Sequence, residues 1–107
     1  MILTAGTYRG IIESSEIKKT STGKEYLLLK IWLNKYKKYL YLHLSPGYAP
    51  YNAALDKIFG PDAVEELSIE TLKLDVLSSL MFDKEVLMYV DEVKYKDIKT
   101  NVIRSLL

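Results

Sequence analysis

Glu25–Asn34, EYLLLKIWLN, and Lys37–Ser45, KKYLYLHLS, are the two stretches on which the fold turns. In the second, apolar and polar residues alternate strictly: Leu40, Leu42 and Leu44 fall on one side, Tyr39, Tyr41 and His43 on the other. A period of two marks a half-buried antiparallel strand, because successive side chains of an extended chain point to opposite faces. The first stretch has the same period. Leu27, Leu29, Ile31 and Leu33 share the face expected to be core, and Tyr26, Leu28, Lys30 and Trp32 share the other. Only the short polar connection Asn34–Tyr36 separates the two stretches, and their second faces match in aromatic character.

Toward the N-terminus, Lys18–Lys24, KKTSTGK, is polar and carries Gly23 at a position suited to positive φ, so it is expected to turn a hairpin. Before it, Thr4–Ile17 is β-leaning, with Gly6 and Gly10 where a strand bulges or bends sharply. Toward the C-terminus, Pro46, Gly47 and Pro50 break the sheet run. Tyr51–Phe59 then has helical spacing through Ala54, Leu55, Ile58 and Phe59, closed by Gly60 and Pro61. Asp62–Leu67 reads as a further helical turn, and Ser68-Ile69-Glu70 as the cap of a second helix over Thr71–Met81. Lys84–Lys94, KEVLMYVDEVK, and Lys99–Leu107, KTNVIRSLL, read as a fourth and fifth strand across the loop Tyr95–Ile98. The order β-β-β-α-β-β, with a helical insertion between strands 3 and 4, is that of the OB-fold, a partly open Greek-key barrel. The expected fold is therefore mainly β: a five-stranded OB-fold barrel occupying residues 1–107 as a single domain.

A length of 107 residues suits one core, and 49% hydrophobic with 27% charged residues is a globular balance that argues against disorder and coiled coil. No apolar run approaches eighteen residues and no basic-then-apolar leader opens the chain, so the expectation is a cytoplasmic protein with no membrane partner. The absence of cysteine removes disulfides, thiolate nucleophiles and cysteine zinc sites, and a single histidine, His43, leaves nothing to build a relay or cage with it. Asp56, Asp62, Glu65, Glu66, Glu70 and Asp75 have no fixed elements to make them converge, so they read as solvated helix surface rather than a nuclease centre. Gly-rich phosphate loops are missing as well. No enzymatic activity, catalytic residue, metal or cofactor is expected.

The net charge of +1 conceals an uneven distribution. Residues 1–48 carry a net +5, residues 49–92 a net −7 and residues 93–107 a net +3. Two basic blocks flanking an acidic middle suit one polyanion-binding face with an acidic back. OB-folds bind oligonucleotides on strands 2 and 3 and through the loops joining strands 1–2 and 4–5. Here the outward set on strands 2 and 3 is Tyr26, Lys30, Trp32, Tyr39, Tyr41 and His43. Lys18, Lys19 and Lys24 lie in the first of those loops, Lys35, Lys37 and Lys38 in the turn between strands 2 and 3, and Lys94, Lys96 and Lys99 around the last. Aromatic rings stack on unpaired bases and lysines neutralise phosphates. The nucleic-acid-binding residues expected are Lys24, Tyr26, Lys30, Trp32, Lys35, Lys37, Lys38, Tyr39, Tyr41, His43, Lys94, Lys96 and Lys99; Tyr8, Tyr48, Tyr51 and Tyr89 are assigned to packing.

Gly6-Thr7-Tyr8-Arg9-Gly10-Ile11-Ile12 followed by Ser21-Thr22-Gly23-Lys24-Glu25-Tyr26-Leu27 is similar to the opening hairpin of small phage- and mobile-element-encoded single-stranded-DNA-binding OB proteins. The closing hairpin resembles theirs too: Glu85–Tyr95, then Lys96-Asp97-Ile98-Lys99-Thr100-Asn101-Val102-Ile103-Arg104, where a tyrosine precedes a short polar turn and an Asn-x-Val strand. The resemblance covers roughly half the chain, at its two ends. It implies binding without sequence preference and a role in phage or plasmid DNA replication or recombination, in the host cytoplasm, alongside other replication or recombination proteins. Many bacterial single-strand binders end in an acidic tail that recruits such proteins; this sequence ends in Arg104-Ser105-Leu106-Leu107, and recruitment by a tail is not expected.

The leading expectation is a module for single-stranded DNA, with single-stranded RNA the other polymer the same chemistry would accept. The alternative is a phage-encoded protein-interaction module, an inhibitor of a host or defence protein that uses the same aromatic face as its hot spot. Edge strands and an apolar C-terminus are compatible with a homodimer.

Overall fold

A computed structural model describes residues 2–107, the side chain of Ala49 excepted. Five strands, β1 (Gly6–Lys19), β2 (Glu25–Leu33), β3 (Lys38–Leu44), β4 (Glu85–Tyr95) and β5 (Ile98–Leu106), form one antiparallel sheet in the order β3-β2-β1-β4-β5. Between β3 and β4 come α1 (Ala49–Phe59), α2 (Ala63–Leu67), a 3-10 turn at Ile69–Thr71 and α3 (Leu74–Met81). The fold is mainly β, with the helical segment where the sequence pattern places it.

The central strand explains the order. β1 is long enough to pair twice: Ile11–Lys19 lies along β2, and Gly6–Ile11 lies along β4. A bulge between Ile12 and Ser14 makes Glu13 the extra residue, which keeps Ile12, Ser15 and Ile17 opposite the inward Ile31, Leu29 and Leu27. The alternation of β2 is realised in full: Leu27, Leu29, Ile31 and Leu33 are completely buried, as are Ile12, Met88 and Val90. α1 covers this inward face with Tyr51, Ala54, Leu55 and Ile58, and α3 adds Leu77 and Met81. Ser15, a polar residue on the inward side, is satisfied by the Ser78 hydroxyl and by the Ser78 carbonyl at 3.2 Å, which fastens α3 to β1.

Local chemistry accounts for most boundaries. Gly23 takes φ of 85° in the β1–β2 turn, closed by Thr20 N–H to the Lys24 carbonyl at 2.8 Å. Pro50 sits in the first turn of α1, where a missing N–H leaves no bond unmade, and Gly60 ends that helix with φ of 110°.

Three expectations change. Ser68 does not cap α3: it is left-handed, its N–H closes α2 onto the Ala63 and Val64 carbonyls, and Lys73 precedes α3 without a side-chain cap. The expected loop Tyr95–Ile98 contracts to a two-residue turn, because Lys96 and Asp97 both adopt positive φ (49° and 67°) and let Tyr95 pair with Ile98. The sheet is not closed into a barrel. Its outermost strands, β3 and β5, approach without a hydrogen-bonded ladder and face each other across a cleft of about 500 Å³ lined by Lys38–His43 and Thr100–Ile103.

Candidate nucleic-acid interface

The residues left over from core-building on β2 and β3 form a surface of their own. Directly opposite one another across the two strands stand Trp32 and Tyr39, Lys30 and Tyr41, and Leu28 and His43. β1 extends the rows: Ile11 lies opposite Trp32, Ser14 opposite Lys30, Glu16 opposite Leu28 and Lys18 opposite Tyr26. Cross-strand neighbours of this kind are close enough for rings to touch. Trp32 and Tyr39 have centroids 4.6 Å apart at a tilt of 47°, and Tyr26 and His43 are 5.5 Å apart. The Lys30 ammonium rests 4.1 Å above the Tyr39 ring, a cation–π contact that holds a positive charge in the middle of the aromatic field.

Tyr39 is fixed from its other end as well. Its hydroxyl donates to Glu13 Oε1 at 3.0 Å, from the bulge of β1. That hydrogen bond to a carboxylate, with smaller contributions from desolvation and from the Glu13 charge, raises the Tyr39 pKa above the ordinary tyrosine value. Lys18 is raised likewise by its hydrogen bond to Glu16, with which it makes a 3.0 Å ion pair. Tyr39 therefore stays a neutral hydrogen-bond donor, pinned in orientation, while Tyr41 beside it is half exposed at 51%.

The cationic residues take different positions around this face. Lys24 joins Tyr26, His43 and Tyr48 around a hollow of about 310 Å³ at the β1–β2 turn. At the other end, the β2–β3 turn carries Lys35 and Lys37, and Lys38 begins β3 opposite Leu33. Lys37 adopts φ of 51° and its ammonium donates to Asn34 Oδ1 at 2.9 Å, while Lys35 lines a second hollow, of about 440 Å³, with Trp32. Lys94, Lys96 and Lys99 lie on the β4–β5 hairpin: Lys94 pairs with Asp97 at 3.6 Å, Lys96 lies 5.4 Å from the Tyr95 ring and Lys99 sits opposite Lys94. Lys99 adjoins Thr100 at the cleft facing β3; Lys94 and Lys96 belong to the hairpin tip.

The six outward residues of β2 and β3 thus share one face, with Lys24 at one end and Lys35 and Lys37 at the other, while Lys38 falls on the inward register opposite Leu33. The hairpin lysines are not brought onto this face: Lys94 and Lys96 stand at the β4–β5 tip, and Lys99 only adjoins the part of β5 that lines the cleft. Of the tyrosines assigned to packing, Tyr51 is 3% exposed and Tyr8 packs edge-on against Tyr36 at 5.1 Å, but Tyr48 and Tyr89 are exposed. Tyr48 precedes α1 at the rim of the smaller hollow, where the breaker cluster lifts it off the core. Tyr89 falls on the outward register of β4, a position its neighbours Met88 and Val90 already signal by their alternation. Sequence reasoning also passed over Glu13, Arg9 and Leu87; the period of two around Val86 and Met88 marks Leu87 as outward, but nothing local brings it beside Trp32. Among the described residues, no group of three or more His, Cys, Asp or Glu converges to hold a metal ion, and no helix is long and apolar enough to cross a membrane. No protein-family model matches the chain, and a search of the curated proteins finds no match.

Proposed function

We propose that this chain is an OB-type protein that binds single-stranded DNA without sequence preference on the outward face of β2 and β3. The observation that carries the reading is the run of facing pairs Trp32–Tyr39, Lys30–Tyr41 and Leu28–His43, an aromatic field with a cation inside it and lysine-bearing turns at both ends. Bases stack on Tyr26, Trp32, Tyr39 and Tyr41, a contribution of about 1–3 kcal/mol per base that is indifferent to sequence because every base has a π-face. Lys30, Lys37, Lys38, Lys96 and Lys99 follow the backbone. The strand order β3-β2-β1-β4-β5, with β3 and β5 facing across an open seam, supports an OB-type barrel left unclosed. The resemblance of its two hairpins to phage and mobile-element proteins extends the proposal to DNA replication or recombination in such elements.

Trp32, the only tryptophan, supplies the test. Its fluorescence is followed while oligo-dT is added at low salt, then at high salt, then with duplex of equal length. Quenching by the single strand alone, relieved by salt, is expected; an unchanged signal with every nucleic acid, together with no retention of labelled oligo-dT, rejects the reading.

A further inference from the structure

The outward face does not end at β2. One cross-strand row runs from Tyr39 on β3 to Trp32 on β2, Ile11 on β1 and Glu85 on β4. Beside that row, where β2 gives way to its turn and β1 continues against β4 alone, lies the hollow of about 440 Å³. Its walls are apolar: Trp32, Tyr36, Ile11 and Leu87, the last two large hydrophobics left in contact with solvent. Arg9 and Lys35 bring two cations to it, and Asn34 and Glu85 bring an amide and a carboxylate. The volume lies within the range of about 300–1,000 Å³ typical of small-ligand sites, as does the pattern of apolar walls with a few polar groups.

That combination matches one nucleotide. A base is flat and apolar on its faces, polar at its edge, and tied to a phosphate. Trp32 is shared between the aromatic stack and this hollow, so a strand lying across Tyr39 and Trp32 arrives at its mouth. Arg9 and Glu85 are paired at 3.2 Å, but both are well exposed, and such a pair is weak enough for the guanidinium to turn to a phosphate, which it binds in two-pronged fashion. We propose that this hollow is a subsite for one unstacked base turned out of the bound strand, held between Trp32, Tyr36 and Leu87, with its phosphate on Arg9 and Lys35. The subsite rests on the strand-binding reading and extends it from β2–β3 across β1 to β4. It makes β1 and β4 part of the contact surface and gives Arg9 a ligand.

The experiment is an amide-resolved NMR titration of the full chain with octathymidine, paired with Trp32 fluorescence affinities for the same strand carrying one abasic residue at each position in turn. The amides of Thr7, Arg9 and Leu87 are expected to shift with the β2–β3 face, and one abasic position to cost roughly 5- to 100-fold, more than its neighbours. In Leu87→Ala, with spectra that report an intact fold, that position-specific penalty is expected to shrink toward the others. Binding confined to β2–β3, with Thr7, Arg9 and Leu87 silent and a level abasic profile, overturns the subsite and leaves the strand-binding face standing. Failure of octathymidine to bind at all overturns both.

Discussion

At the scale of single residues, Gly10 shows how closely the site and the core are joined. It is buried on the inward side of β1, where β2 and β4 flank the same strand. A Cβ there would stand 2.5 Å from Ile31 Cγ2, 2.9 Å from Met88 Cε and 3.1 Å from the Trp32 carbonyl oxygen. Ile31 and Met88 are fully buried and have little room to give. Gly10→Ala is accordingly expected to lower stability by about 1–3 kcal/mol through overpacking, seen as a lower urea midpoint at unchanged m-value. Because the methyl also presses on the Trp32 backbone, the indole emission of the folded variant should move as well. The sequence marks Gly10 as a place to bulge or bend, but its register with β4 is unbroken and the bulge falls at Glu13; that Gly10 instead makes room for Ile31, Met88 and the Trp32 carbonyl was not legible, since the contact needs β2 and β4 both in place.

At the scale of elements, the sheet ladders were the most legible part. β2 and β3 fall within a residue of their expected bounds, because alternation is a property of the extended backbone itself and needs no partner to be recognised. The helical segment was harder. Ser68 has the composition of an N-cap, yet the backbone already turns left-handed there to end α2, and its side chain makes no cap bond to the 3-10 turn that follows, which ends short of α3. The β4–β5 turn was read as longer than it is for a related reason: Lys96 and Asp97 are not the Asn-Gly pair that favours two positive φ values, and tertiary pairing imposes them. The strain is removable. Replacing the pair by Lys96→Asn with Asp97→Gly is expected to add about 1 kcal/mol to hairpin stability, detected as slower amide exchange from Val93 to Asn101, with the strand register unchanged. A faster exchange in that variant would mean that the Lys96 and Asp97 side chains, including the 3.6 Å Lys94–Asp97 pair, hold the turn more firmly than its backbone geometry suggests.

At the scale of the whole molecule, the decisive property is where charge ends up. The basic N-terminal block supplies β1–β3 and their turns, and most of the acidic middle, Asp56, Glu65, Glu66, Glu70 and Asp75 included, lies in the helical segment that covers the opposite face, whereas Glu85, Asp91 and Glu92 lie on β4. Lys37 sits in the turn at one end of the aromatic row, and Lys38 opens β3 opposite Leu33, at the margin of the inward face. Lys37→Glu combined with Lys38→Glu is expected to weaken oligo-dT binding at least about ten-fold at low salt, and to flatten the slope of log affinity against log salt by about 1.4, the loss of two single-strand phosphate contacts. Urea stability is expected to fall by about 1 kcal/mol, because the Lys37 ammonium gives up its hydrogen bond to Asn34 Oδ1, while the far-UV spectrum of the folded state stays that of the parent. An unaltered salt slope would remove this turn from the path of the backbone.

Composition, alternation and turn chemistry by themselves determined five strands, a helical segment between the third and fourth, the two faces of β2 and β3, and which of those faces is apolar. These follow from local sterics and from the need to bury leucine and isoleucine, forces that act within a few residues of each position. Only the tertiary structure decided that β1 bulges at Glu13 so that Tyr39 is tied by its hydroxyl, that β3 and β5 face each other unjoined, and that Arg9 and Leu87 gather with Trp32 around one hollow. Those outcomes depend on how β1 divides its length between two partners. That division is settled by the sum of many small contacts between strands far apart in the chain, and no single stretch of sequence contains it.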